Sequence, residues 1–239
     1  MSADPAVHGN ARPAPATGKR RTRNAARARA ELLQVATEEF ARVGYYGARV
    51  DEIAAKSSTT KRMIYYYFDD KDGLFTAVLE RAYADIRAAE KALDLSALPP
   101  LAAVAALIEH TLRYHATHPE LARLVAAENA LGAAHLRASP RQTGTNLPIL
   151  ELLGDILSRG RADGSIVRDI SPVELHLQMS AVSLFRVTNA DTIEATFGVR
   201  LDEPDWLERT IATQTSMICT WLNTPDPEPA RVATVDPPA

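Results

Sequence analysis

The sequence contains little that would suit a disulfide scaffold or a membrane protein. Cys219 is its one cysteine, so no disulfide can form within the chain. The longest apolar run, Leu101 to Ile108, falls far short of the roughly 18 residues that a spanning helix needs. No basic segment followed by an apolar stretch opens the chain, as a secretory signal would. These absences predict a protein of the reducing cytoplasm with no membrane partner.

Charge is present in quantity but is unevenly distributed along the 239 residues, and the net charge of −3 hides this. Residues 1–68 carry 12 Lys and Arg against 6 Asp and Glu, whereas residues 69–239 carry 15 against 24. No acidic residue lies between Asp4 and Glu31. A basic first part on an acidic remainder predicts a polyanionic partner for the first part, and the alternative is a solvated arm without a partner.

Helical periodicity dominates the apolar pattern, and no segment alternates with the period of a strand. We therefore predict an all-α fold of about nine helices, the first running from Asn24 to Val43. Segments rich in alanine, proline and charge at both ends are predicted to be disordered. The predicted organisation is a disordered basic arm at 1–22, a three-helix N-terminal unit at 23–70, a larger helical bundle at 71–222 and a disordered tail at 223–239.

Residues Val50 to Phe68 have the dimensions of a helix-turn-helix: a seven-residue helix, a three-residue turn and a second short helix. The spacing of Ile64 and Phe68 turns them toward the core. The outward residues suit duplex DNA, because Lys and Arg bind phosphates or guanine edges while Thr and Tyr hydroxyls reach the backbone. The alternative is a helical hairpin with a hydrated face, but three consecutive tyrosines beside a Lys-Arg pair are unusual there. The outward residues are Thr60, Lys61, Arg62, Tyr65 and Tyr66.

Residues 29–80 resemble the amino-terminal domain of TetR-type transcriptional regulators. The resemblance lies in VDEIAA at 50–55, TKRMIYYYF at 60–68 and DKDGLF at 70–75. It implies an all-α, homodimeric, ligand-responsive regulator that is usually a repressor and is not an enzyme. Its partner would be double-stranded DNA with a pseudo-palindromic operator.

The resemblance makes the second short helix the recognition helix. A helix N-terminus favours an anion, so the start of the following helix would hold a phosphate. The DNA contacts implied by the resemblance are Thr60, Lys61 and Arg62 to base edges, Tyr65, Tyr66 and Lys71 to phosphates, and Arg49 to the backbone.

Two positions depart from the family pattern. Ser58 stands in the turn where the family usually has glycine, which predicts a strained left-handed conformation for a serine. Gly73 stands where a glutamate is common at the third position of the next helix, so its capping box should be half made.

The larger bundle carries no catalytic signature, and we predict neither a catalytic site nor a cofactor. His115 and His118 could share a helix face, but no nearby cysteine or acidic cluster completes a metal site, so we predict no metal. Polar residues interrupt otherwise apolar helices instead, and buried polar groups need partners. A small ligand would supply these partners. The alternative is that the polar side chains are exposed to solvent or hydrogen-bond to one another. The candidate ligand-binding residues are His110, Tyr114, Glu128, Asn129, Gln178, Phe185 and Arg186.

The segment from His118 to Leu136 is also similar to a carboxy-terminal domain found in TetR-type regulators of aromatic-acid breakdown. That similarity implies a small organic inducer such as an aromatic or acyl carboxylate, which Arg123 or Arg186 could pair with.

The last two long helices are predicted to form the dimer, because the final one is apolar on two sides. One stripe packs within its own bundle and the other would meet a partner, giving an isologous four-helix interface. Three rival functions stay open at this point: an activator, a ligand-independent DNA-binding protein, and a helical enzyme or carrier whose basic arm is a solubility tail.

Overall fold

The computed structural model describes residues 17–139 and 147–225, with side chains described from 25 to 139 and from 148 to 225. This part of the chain forms eleven α-helices and no strand, which confirms the all-α prediction. The predicted basic arm up to residue 16, and the predicted tail from residue 226, lie outside the described residues. The helices are α1 (Thr17–Gly47), α2 (Val50–Lys56), α3 (Lys61–Phe68), α4 (Lys71–Lys91), α5 (Pro100–Thr117), α6 (Pro119–Ala130), α7 (Ala134–Ala138), α8 (Leu147–Asp163), α9 (Pro172–Thr188), α10 (Ala190–Phe197) and α11 (Pro204–Asn223).

Two short helices, α7 and α10, account for the difference from the predicted nine. Helix α7 has 5 residues and follows Ala133, whose φ of 58° is left-handed. Helix α10 is separated from α9 by Asn189 alone, at φ −117° and ψ 10°. Neither helix has a buried residue, so neither carries an apolar stripe that periodicity could reveal.

Helix α1 begins at Thr17 rather than at the predicted Asn24, and so includes part of the segment that we predicted to be disordered. Lysine and arginine supply four of the seven residues from 17 to 23, and both are strong helix formers. The predicted end of the helix is visible as a break at Gly44, whose φ of 70° and ψ of 178° are not helical. A further helical turn then reaches Gly47.

The first of two hydrophobic cores joins α1, α2, α3 and the first half of α4. The Phe40 and Phe75 rings meet edge-on at its centre, 4.8 Å apart. Helices α2 and α3 have 7 and 8 residues and are too short to be stable alone, so this core holds them in place. Leu124 of α6 is also fully buried in this core, which joins the helix-turn-helix to the bundle.

The second core lies in the bundle, between α5, α8, α9 and α11. Helix α9 begins with the predicted start signal: Ser171 caps the helix, Pro172 follows, and the Glu174 side chain accepts a hydrogen bond from the Ser171 N–H, completing a capping box. The members of this core with no exposed surface are Ala103, Val104, Leu107, Ile108, Leu153, Ile156 and Leu222.

The turn from α3 to α4 requires glycine at position 73. Asp69 takes a positive φ of 66°, and the Asp70 carboxylate accepts a hydrogen bond from the Gly73 N–H at 2.7 Å. A Cβ atom on Gly73 would lie 2.0 Å from the Phe68 carbonyl oxygen. The Asp70 cap is therefore present, and the missing glutamate is explained by lack of space.

Gly73→Ala should destabilise the protein by roughly 1–3 kcal/mol or more, because the new methyl group collides with backbone that cannot rotate away. Gly154→Ala is the matched control. Its Cβ would meet only Pro172 Cγ at 3.7 Å, an ordinary contact, so that variant should be at least as stable as the parent. Urea unfolding of both variants makes the measurement, and equal midpoints for Gly73→Ala and the parent would refute the close approach.

Candidate nucleic-acid interface and buried polar cluster

The turn between α2 and α3 is built differently from the sequence expectation. Among the described non-glycine residues, only Asp69 and Ala133 have positive φ, so Ser58 does not adopt the predicted strained conformation. The Glu31 carboxylate of α1 instead accepts hydrogen bonds from the Ser58 N–H at 3.0 Å and from its hydroxyl at 2.9 Å. These bonds lower the pKa of Glu31. A side chain of the neighbouring helix thus stabilises the turn that the family usually builds with glycine.

The outward face of α3 is polar, basic and aromatic, as the sequence predicted. Ile64 and Phe68 are buried, whereas Tyr65 is 42% exposed and Tyr66 75% exposed. Thr60 is the exposed N-cap residue, and its hydroxyl makes no capping bond to the helix. Exposed hydroxyls, cations and ring edges on one short helix are suited to the phosphates and base edges of a duplex groove. Lys61 and Arg62 are exposed on the same helix.

Helix α2 brings two further charged residues to this face. Arg49 is the exposed N-cap residue of α2, and Asp51 in the first turn pairs with the Lys61 ammonium at 2.7 Å. The Asp51 partner raises the pKa of Lys61. An exposed pair of this kind adds little stability, so Lys61 can exchange Asp51 for a phosphate at low cost.

Lys71 lies at the first position of α4, but its ammonium group sits over the Tyr45 ring, 4.5 Å from the ring centre. Burial lowers the pKa of Lys71. The Tyr45 hydroxyl donates to Asp72, and burial followed by this bond raises the pKa of Tyr45 to about 12. An aromatic ring therefore positions the lysine that the sequence predicts to contact a phosphate.

Glu128, a predicted ligand residue, has its carboxylate occupied by protein groups. It is 1% exposed. One oxygen lies 2.8 Å from His135 Nδ1, and the other accepts from the Leu136 N–H at 2.9 Å. His135 Nε2 lies 3.8 Å from the Asp72 carboxylate, and its ring packs against Phe75 at 4.9 Å. These contacts among Glu128, His135 and Asp72 join α6 to the start of α4, next to Lys71.

His135→Ala should cost roughly 1.5–3 kcal/mol, since it removes a hydrogen bond from a buried carboxylate. His135→Asn is the matched control, because the asparagine amide can occupy the Nδ1 position and keep the bond to Glu128. Urea unfolding should place the asparagine variant between the alanine variant and the parent. Identical losses for both variants would show that Glu128 does not depend on this bond.

The other predicted ligand residues separate into three groups. His110 and Tyr114 are half-buried on α5, with ring centres 5.9 Å apart. Asn129, Gln178 and Phe185 are exposed. Arg186 is half-buried and donates from Nη2 to the Leu201 carbonyl, which ties α9 to the loop before α11. Arg123, the other suggested carboxylate partner, is exposed on α6.

A buried ion pair that the sequence analysis missed lies on α4. Arg87 Nη1 is 2.7 Å from Glu90 Oε2, and both side chains are largely buried. The two residues are three positions apart, a spacing that in a sequence is typical of an exposed ion pair on a helix surface. Their position on a helix that packs against α5, α6 and α8 is the tertiary information that the sequence lacked.

Histidines and tyrosines surround this pair. Burial lowers the pKa of His110 and of His176, and lowers that of His115 to about 4. His115 Nδ1 lies 2.6 Å from the Ser183 hydroxyl, so it serves as a neutral internal hydrogen-bonding group. Burial also raises the pKa of Tyr83 and Tyr114. All these groups are uncharged near neutral pH, and Arg87 carries the cluster's positive charge.

The outward side of α9 and α11 is apolar. Leu177 is 59% exposed and Met217 68% exposed, and Phe185 and Trp221 are also exposed. On another side of α11, Leu207, Ile211 and Ile218 pack against the bundle core. This two-sided apolar character of α11 agrees with the sequence expectation.

The described residues hold no group of three or more His, Cys, Asp or Glu side chains that could bind a metal ion. None of their helices is long and apolar enough to cross a bilayer.

A short basic and aromatic helix, exposed as the second member of a helix-turn-helix on an all-helical bundle, defines a DNA-binding regulator. Residues 32–78 match the family model described as bacterial regulatory proteins, tetR family. Residues 100–218 match the tetracyclin repressor-like C-terminal domain. The chain belongs to the TetR family of bacterial regulatory proteins, so the resemblance is confirmed, as is the expectation that the chain is not an enzyme.

Individual relatives agree with this assignment. The chain is 31% identical over 191 residues to the HTH-type transcriptional repressor NicS of Pseudomonas putida, covering 78% of this chain and 90% of that one. It is 27% identical over 195 residues to the transcriptional regulator RutR of Escherichia coli, covering 82% and 90%. A regulatory protein of the tetR family from Rhodococcus has a similar fold, with a TM-score of 0.63 at 17% identity over 83% of this chain and 98% of that one.

Proposed function

We propose that this protein is a homodimeric transcriptional repressor that a small organic carboxylate releases from a pseudo-palindromic operator. The observation that carries the proposal is the exposed face of α3, where Thr60, Lys61, Arg62, Tyr65 and Tyr66 lie together on a helix held by the first core. The relative NicS is named a repressor, which favours repression over activation. A repressor works where the chromosome is, so a cytoplasmic location belongs to the proposal.

The two hydrophobic cores correspond to two parts of the chain with different functions. Residues 23–70, including Arg49 at the start of α2, read the operator together with Lys71 at the start of α4. Residues 71–222 bind the ligand and form the dimer through the apolar side of α9 and α11. An isologous pairing of these faces sets two α3 helices about 34–36 Å apart, one turn of B-DNA.

The ligand site is proposed in the interior of the bundle, where His110 and Tyr114 of the predicted set lie beside Arg87. Glu128 and Arg186 take part indirectly, because their polar groups already bond α7 and the loop before α11. Asn129, Gln178 and Phe185 would enter only if the bundle rearranges. Ligand binding releases the operator only if the ligand binds the two states with different affinity.

The test is binding of the purified full-length protein to DNA fragments from upstream of its own gene and of neighbouring genes. At physiological salt, one fragment with a two-fold symmetric site should bind at least about 10³-fold more tightly than a scrambled duplex. Deleting the gene should raise expression of a reporter controlled by that fragment. Lower expression would identify an activator, and equal affinity for all fragments would refute operator recognition.

A further inference from the structure

Arg87 and Glu90 are paired but incompletely bonded. Although Arg87 Nη1 and Glu90 Oε2 are 2.7 Å apart, neither atom makes a hydrogen bond of acceptable geometry to a described residue. Arg87 Nε also lacks a partner among the described residues, as does His110 Nε2 on the facing helix. A planar guanidinium with free N–H groups is suited to a second, better-aligned carboxylate.

The surroundings leave Glu90 without any other stabilising charge. The groups facing the pair are Tyr83 from α4, His110, Tyr114 and His115 from α5, and His176 from α9. The histidines are neutral near pH 7 because burial lowers their pKa. Burial outweighs the attraction of Arg87 and raises the pKa of Glu90 to about 7.

An incoming carboxylate cannot share Arg87 with an ionised Glu90. Two carboxylates at one buried cation would leave one negative charge uncompensated, which is costly away from water. Protonating Glu90 removes that charge at small cost, since its pKa already lies near neutrality. The site then holds one cation and one anion, as before.

We propose that a ligand carboxylate replaces Glu90 on Arg87, and that Glu90 takes up one proton from solvent as the ligand binds. This inference rests on the proposed function and specifies its inducer as a monoanionic organic carboxylate. The ligand's oxygens bond the guanidinium N–H groups of Arg87, and the proton goes to a carboxylate oxygen of Glu90. No covalent bond forms in the ligand, and one binding event consumes one proton.

Proton uptake gives the affinity a defined pH dependence. Above about pH 7 Glu90 is ionised in the free protein, so binding requires a proton and Kd should rise about tenfold per pH unit. Below about pH 6 Glu90 is already protonated and Kd should level off. Glu90→Gln mimics the protonated residue, so its Kd should be independent of pH and, near pH 8, about tenfold lower than that of the parent.

The experiment is calorimetric titration of the full-length protein with benzoate, phenylacetate, butyrate and octanoate, each beside its neutral amide. Repeating the titrations in buffers of different ionisation enthalpy counts the protons. We expect one or more acids to bind, their amides to bind at least about tenfold more weakly, and about one proton per site to be taken up near pH 8. Arg87→Met should lose acid binding, with circular dichroism confirming its fold.

Glu109→Gln is the matched control, because Glu109 is an exposed carboxylate paired with Arg113 on the surface of α5. It should bind like the parent at every pH. Absence of binding by all four acids, equal binding of the amides, or uptake of no proton near pH 8 would overturn the proposal. Operator binding is measured on the same samples without ligand, so failure of the repressor assignment is separately visible.

Discussion

Replacing both Lys61 and Arg62 with alanine should abolish specific operator binding while leaving a folded dimer. Each lost contact to a base edge or phosphate costs about 1–3 kcal/mol, and a dimer loses each contact twice. Four lost contacts at about 1 kcal/mol or more should lower the affinity for the operator by at least about 10³-fold. Stability should be nearly unchanged, since Arg62 is exposed and the Lys61–Asp51 pair lies at the surface. Fluorescence anisotropy with labelled operator makes the measurement.

A charge-matched control separates base reading from overall charge. Lys91 and Arg200 are exposed on the bundle, away from α2 and α3, so replacing both with alanine removes the same charge. That variant should keep operator affinity within about threefold of the parent, because charge far from the duplex is screened. If the Lys61 and Arg62 variant also stayed within threefold, α3 could not be the recognition helix.

Replacing Leu177 and Met217 with arginine should convert the dimer to a monomer and reduce operator affinity at least about 10³-fold. Both side chains are exposed in the single chain, so arginine there does not disturb the fold, but like charges would face each other across the isologous interface. A monomer holds one α3 and loses the gain in effective concentration from a second, linked half-site. Sedimentation analysis and anisotropy measure the two effects.

Ala116→Arg supplies the control for that variant, since Ala116 is exposed on α5 rather than on α9 or α11. It should remain dimeric and bind the operator like the parent. A dimer that survived arginine at both Leu177 and Met217 would place the interface elsewhere on the bundle.

The buried and exposed sides of the helix-turn-helix could be predicted because that information is local. The spacing of Ile64 and Phe68 fixed which side of α3 is buried, and the exposed set followed from it. The turn geometry could not be predicted, because the partner of Ser58 is Glu31, which lies 27 residues away. Glycine at position 73 was likewise explained only by the approach of the Phe68 carbonyl.

The interior of the bundle was harder to predict, since a helical repeat shows that one face of a helix is buried but not which residues that face contacts. Glu128 was correctly expected to need a partner, yet the partner is His135 rather than a ligand. In the sequence, Gln178 interrupts an apolar helical segment and Phe185 extends it, but both side chains are exposed on α9. Arg87 and Glu90 resemble a surface pair until α4 is placed against its neighbours.

The most direct test of two α3 helices held at a fixed separation is to change the spacing of the operator half-sites. Inserting about five base pairs turns one half-site by half a helical turn, to the opposite side of the duplex. We predict that the full-length protein then binds no more tightly than it binds an isolated half-site. Undiminished affinity for the lengthened operator would contradict a rigid dimer that reads both half-sites at once.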